Sequence, residues 1–191
     1  MSEQRNGVRE RILEAAIDFA QTSGIEAMSQ AKVALRAGVR QSHLTYYFPT
    51  RVDLIKAVLN EVRQQIVLAN RREITRVSCS DASPIERLRE HLKRELANEE
   101  RARMLLSLFI AAREDEQLHD WLIGFEREML EPAIDLLDAA GLKVDKKYAE
   151  LMHMFLCGCA TLSVFVGGSN TTKAVEDGID ALIESIARQQ S

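Results

Sequence analysis

The sequence predicts an all-α protein, and three observations carry that expectation. Apolar residues recur at three- and four-residue steps through most of the chain; alanine, leucine, glutamate and arginine, all good helix formers, dominate it; and no run alternates apolar and polar residues as a half-buried strand does. With 46% hydrophobic and 28% charged residues and only three prolines and nine glycines in 191 positions, the composition is that of a folded chain with a real core.

Taken in order, Ile12, Ala15, Ala16, Phe19 and Ala20 mark one face of a first helix within residues 8–20, which Gly24 ends. Ser29 is placed to cap a short second helix whose inward residues are Val33 and Ala34, and Ala37-Gly38-Val39 makes a tight turn into a third short helix from about Arg40 to Tyr46. At Thr50 a fresh helix starts, because its hydroxyl can cap while Asp53, three residues on, reaches back to the free N–H groups. Leu54, Val58, Val62, Ile66 and Ala69 hold its phase until the polar stretch Ser78 to Pro84, which reads as a linker. Further helices are expected at about 84–98, 101–112, 115–139, 145–166 and 172–189. The division expected is a small domain of three short helices over 1–49 and a larger helical domain over 50–191, with a connecting helix over about 50–77.

The formal net charge of −4 hides an uneven distribution. Residues 1–76 hold 12 lysines and arginines against 8 acidic residues, a balance of +4; the rest hold 13 against 21, a balance of −8. Two short helices joined by a tight glycine-containing turn in a basic segment form the arrangement that sends a second helix into the major groove of DNA. That helix carries Arg40, Gln41, Ser42, His43, Thr45 and Tyr46, all able to hydrogen-bond, with Leu44 and Phe48 as its inward anchors. On pattern alone an ordinary surface helix of a bundle remains the alternative.

Residues from about Ile12 to Leu59 resemble the DNA-binding domain of the tetracycline-repressor (TetR) family, through Ala37-Gly38-Val39, Leu44, Tyr46-Tyr47-Phe48-Pro49, Thr50-Arg51 and Asp53-Leu54. The resemblance implies that Gln41, Ser42 and His43 meet base edges, that Tyr46 meets base methyls or backbone, and that Lys32, Thr45, Tyr47 and Arg51 hold phosphates. Glutamine can pair two-pronged with adenine, and cationic and hydroxyl groups suit phosphate oxygens, so the side-chain chemistry agrees. Two departures bear on specificity: Arg40 stands where a capping Ser or Thr is common, and His43 and Thr45 replace the usual Thr and Tyr. Arg5, Arg9 and Arg11 are candidates for further backbone contacts.

The same resemblance implies a dimer built from the last two long helices, binding an inverted-repeat operator on double-stranded DNA, and a small-molecule effector bound in the larger domain. Met104, Phe109, Trp121, Phe125, Met129, Met152, His153 and Phe155, with Leu105 and Leu108, are the candidate effector-pocket residues, an aromatic and thioether set suited to an apolar or aromatic ligand with one polar handle at His153. The apolar run Leu151 to Gly168 reads as a buried helix rather than a membrane span. No HExxH, paired CxxC, glycine-rich phosphate loop or GxSxG occurs, so no catalytic residue, metal ligand or cofactor is assigned and an enzyme is not expected. Cys157 and Cys159, two apart on one helix, point away from each other. Three cysteines and no basic-then-apolar leader fit a cytoplasmic protein. The reading is a ligand-released dimeric repressor; an activator or effector-independent regulator with the same head, or a helical protein-interaction or ligand-carrier protein, are the alternatives.

Overall fold

The structure is a computed structural model that describes residues 2–77, 83–166 and 168–189; Cys79, most of the 78–84 linker and the side chain of Arg5 lie outside the described residues. Among them every regular element is helical: α1 (Ser2–Ser23), α2 (Gln30–Arg36), α3 (Gln41–Tyr47), α4 (Arg51–Val77), α5 (Pro84–Leu96), α6 (Glu99–Glu114), α7 (Glu116–Ala139), α8 (Lys146–Val166) and α9 (Gly168–Gln189). The helices group into two compact units, Met1–Arg63 with Arg103–Ile123, and Gln64–Ala102 with Gly124–Ser191, so α4, α6 and α7 each contribute to both.

Local signals set the ends in the first unit. Ser29 Oγ accepts from the Lys32 N–H at 3.3 Å, capping α2. Gly38, at φ +63, lets the chain reverse after α2, with the Val39 N–H donating back to the Ala34 carbonyl at 3.0 Å. Thr50 and Asp53 cap α4 reciprocally: the Thr50 N–H donates to Asp53 Oδ2 and the Asp53 N–H to Thr50 Oγ1, both at 3.0 Å. The core beneath holds Ile12, Ala16 and Ala20 of α1, Val33 and Ala34 of α2, Leu44 of α3, and Leu54, Ile55, Val58 and Leu59 of α4. Gly24, at φ +81, ends α1, and a Cβ there would lie 3.3 Å from Ser107 Cβ of α6. Ser107 Oγ accepts from the Ile25 N–H at 2.9 Å and so satisfies a buried backbone donor in the α1–α2 loop.

In the second unit Leu88 and Leu92 of α5, Leu136, Leu137 and Ala140 of α7, Leu142, Met152 of α8, and Ile179, Ile183 and Ile186 of α9 form one buried cluster. Asp180 of α9 pairs with Arg89 Nε at 2.8 Å and Lys93 Nζ at 3.1 Å, tying α9 to α5. Gly141, at φ +80, closes α7, where the Leu142 N–H reaches the Leu137 carbonyl at 2.9 Å.

Several sequence expectations change here: α1 starts at Ser2 rather than near Val8, and Glu99, Glu100 and Glu114, expected in connections, lie in α6. The connection expected at 167–170 is mostly helix, since α9 starts at Gly168 rather than near 172; Gly167 lies outside the described residues. The run from Leu151 is not a buried helix. Ala149, Met152 and Cys159 are buried, but Leu151, Met154, Phe155, Leu162, Phe165 and Val166 are exposed. At about 100° per residue these six fall within one arc of about 120°, a continuous apolar stripe. By length and composition alone α8 could also cross a membrane.

His91 of α5 is 3% exposed, its Nε2 3.0 Å from Asn70 Oδ1 of α4. Desolvation lowers its pKa below 6.5, opposed by Glu73 and assisted by Arg94 and Arg101. The native protein therefore keeps His91 neutral at a pH where the unfolded chain protonates it. Its contribution is complete above about pH 6.5 and shrinks as the pH falls from there to the folded pKa. Thermal unfolding followed from about pH 7.5 to about pH 5 should show this loss. His91→Gln should flatten the curve, and an unaltered slope in that variant would place the pH dependence elsewhere.

Candidate nucleic-acid interface

Helix α3 is held from beneath and presents its polar residues outward. Leu44 is completely buried and Phe48, at its C-cap, is 3% exposed, while Arg40, Gln41, Ser42 and His43 are exposed and Tyr46 is 66% exposed. Tyr47 is half-buried and meets the Tyr46 ring edge-on, centroids 5.1 Å apart, so the two rings fix each other's orientation at the end of the helix. Thr45, also half-buried, donates its hydroxyl to the Ser42 carbonyl at 3.3 Å. The structure thus gathers Arg40, Gln41, Ser42, His43 and Tyr46 on one exposed surface and leaves Thr45 and Tyr47 at its margin.

The N-terminus of α3 is under-capped. Arg40 has the extended backbone of an N-cap, yet its side chain makes no capping bond, as expected where an arginine replaces a hydroxyl residue. Arg40→Ser should supply the missing acceptor and raise stability by about 1 kcal/mol, read as a higher unfolding midpoint in denaturant. A lower midpoint would mean that the arginine stem packs more favourably than the cap bonds.

Two residues assigned to phosphates are engaged with the chain. The Arg51 guanidinium donates through Nε to the Met28 carbonyl at 2.9 Å and through Nη2 to those of Ile25 at 3.0 Å and Glu26 at 3.4 Å. Lys32 Nζ donates to the Ala27 carbonyl at 2.9 Å and lies 5.9 Å from the centre of the Phe19 ring. Four consecutive carbonyls of the α1–α2 loop, Ile25 to Met28, are thereby tied by two cations, and Gln30 Nε2 ties the end of α3 by donating to the Phe48 carbonyl at 2.6 Å. Of the arm and first helix, Arg9 lies over the Phe48 ring at 5.6 Å and Arg11 is exposed. Sequence reasoning missed Gln30 and Ser107, because each acts on a backbone group far away in the chain.

The candidate effector residues fall in both compact units. Met104, Phe109 and Trp121 belong to the first unit; Phe125, Met129, Met152, His153 and Phe155 belong to the second. Met104 and Phe125 are buried, Met152 sits in the core cluster with Ile179 and Ile183, and Phe155 presses its ring tip to 2.9 Å from where a Cβ on Gly178 would lie. His153 is held by Glu126 and Cys157: its Nε2 is 2.5 Å from Glu126 Oε2 and 3.6 Å from Cys157 Sγ. Hydrogen bonding to Cys157 and then to Glu126, outweighing burial, raises its pKa to about 10. Burial pushes the Cys159 thiol up.

Residues 12–58 match the family model described as bacterial regulatory proteins, tetR family. Across 96% of this chain and 88% of the relative, the sequence is 24% identical to an uncharacterized HTH-type transcriptional regulator encoded in the dhlA 5' region of Xanthobacter autotrophicus. Two solved structures share the fold: a TetR-family regulator from Mesorhizobium loti, with TM-score 0.72 and 22% identity over 95% of this chain and 96% of that one, and the multidrug binding protein EbrR complexed with ethidium, with TM-score 0.70 and 23% identity over 92% and 97%. The matched segment, which holds the anchored, outward-facing α3, is thus similar to the DNA-binding segment of tetR-family regulators, and the chain as a whole shares the fold of the two solved structures.

Proposed function

We propose that the protein is a cytoplasmic homodimeric repressor that holds an inverted-repeat operator with two copies of α3 and leaves it when an apolar or aromatic small molecule binds. The observation that carries this reading is α3 itself: Leu44 is completely buried while Gln41, Ser42, His43 and Tyr46 face out, as a helix must if one side is fixed and the other reads base edges. In functional terms residues 1–49 are the reading head and 50–191 the sensing and pairing part, with α4 belonging to both compact units. The apolar stripe on α8 supports pairing with a second copy, and the small Gly158 lies within it, where an added Cβ would meet nothing in its own chain. Two-fold pairing would set the recognition helices about 34–36 Å apart, one turn of DNA. EbrR, of the same fold, is a multidrug binding protein seen with ethidium, which supports an aromatic ligand here.

A reporter gene behind the operator tests the sign of regulation, and ligand binding to free and operator-bound protein tests release. The reading expects lower transcription when the protein is present. It also expects a ligand that binds the free dimer more tightly than the operator complex, by the same factor by which it weakens DNA binding. Raised transcription, or equal ligand affinity in both states, contradicts it.

A further inference from the structure

Helix α8 has a third face, neither the stripe nor the core side, and it carries a cluster that DNA binding leaves unused. His153 and Cys157 lie one turn apart there, and Glu126 of α7 meets them. One ligand atom from each, a ring nitrogen, a thiol sulfur and a carboxylate oxygen, lies within 4.8 Å of the other two, and all three residues are half-buried.

We propose that Glu126, His153 and Cys157 form a binding site for one borderline divalent transition-metal ion of the zinc class. At the bond lengths zinc makes to these donors, tetrahedral geometry sets nitrogen and sulfur about 3.5 Å apart and nitrogen and oxygen about 3.3 Å apart. Here His153 Nε2 and Cys157 Sγ are 3.6 Å apart, already the spacing of two ligands on one ion. Glu126 Oε2, at 2.5 Å from the same nitrogen, has to draw back by less than an ångström. A thiol and an imidazole select zinc, cobalt or copper over calcium or magnesium, which prefer all-oxygen sites. Binding replaces the proton on Cys157 and the one His153 shares with Glu126, so both are released to solvent. With three protein ligands the fourth position is left to water or a small anion, which the partial exposure of His153 (23%) and Glu126 (30%) allows.

Cobalt(II) is the probe, since its thiolate charge-transfer band in the near ultraviolet and its visible bands report a sulfur ligand and a tetrahedral field. Untagged, reduced full-length protein titrated with cobalt chloride should show both, saturating at one ion per chain, and zinc should abolish them. Cys157→Ser should remove the charge-transfer band. Glu126→Gln and His153→Gln should keep it but weaken binding at least about tenfold, as losing a ligand should cost no less than losing a supporting contact. Cys159→Ala should bind as the unmodified protein does. Circular dichroism matching the unmodified protein shows that each variant is folded. No charge-transfer band in the unmodified protein, an unchanged band in Cys157→Ser, or unchanged affinity in Glu126→Gln overturns the proposal and leaves an imidazolium–carboxylate pair beside a thiol. DNA binding is not read in any arm, so the outcome is independent of the regulatory reading.

Discussion

Arg51→Ala should destabilise the protein by about 2–4 kcal/mol, a large share of the 5–15 kcal/mol by which proteins of this kind are stable. The guanidinium donates to the carbonyls of Met28, Ile25 and Glu26, and residues Met28 and Ile25 are essentially inaccessible to water. Alanine leaves those acceptors with less than they have now, and a charge-assisted bond to a buried carbonyl is among the stronger polar contacts a chain makes. Because the same loop leads into α2, the variant should also bind operator more weakly, through loss of the loop's shape. Arg51→Lys should recover only part of the stability, since an ammonium cannot donate to three carbonyls with the fixed fork that arginine provides. Thermal unfolding of the two variants, read beside DNA binding well below their midpoints, checks this. A midpoint unchanged in Arg51→Ala, with DNA binding alone reduced and less dependent on salt, would return Arg51 to the phosphate-holding role that the family resemblance implies.

Leu162→Glu should convert the proposed dimer to monomers and, with it, lower operator affinity by about a thousandfold, toward the non-specific level. Leu162 is 56% exposed in one chain and lies near the middle of the α8 stripe, so the substitution costs the folded monomer little. In a two-fold dimer each copy would bury an unpaired carboxylate against the partner's apolar face, and that penalty is paid twice. Sedimentation gives the oligomeric state and fluorescence anisotropy the affinity. A Leu162→Glu protein that stays dimeric and binds operator normally would move the pairing surface away from α8.

The parts of the fold legible in the sequence are those written within a few residues. Ser29 before α2, Gly38 after it and the Thr50–Asp53 pair before α4 act on backbone groups within four residues, and each does what its spacing implies. The inward phase of α3 was legible for the same reason, since Leu44 alone interrupts a polar run. What was not legible depends on partners distant in the chain. Ser107 reads as a serine in an apolar helix, and only the tertiary arrangement brings it to the Ile25 N–H, 82 residues away. Arg51 stands in the family's place for a phosphate contact, and nothing in its neighbours announces the carbonyls it holds.

Periodicity also fails in a specific way along α8. It marks Leu151, Met154, Phe155, Leu162 and Phe165 as a face that avoids water, but it does not say whether that face meets its own chain or another copy. The contacts of His153 with Glu126 and Cys157 join two helices and have no signature in either one alone.

The central claim is that the exposed face of α3 reads a defined DNA sequence. The most direct test is to incubate the purified protein with fragmented genomic DNA from its source and sequence what it retains, in parallel with a Gln41→Ala, Ser42→Ala, His43→Ala triple variant. The account expects an enriched inverted repeat with the unmodified protein and loss of that enrichment, at unchanged helical content, with the variant. No enrichment by the unmodified protein in the absence of ligand, or the same repeat retained by the variant, would contradict it.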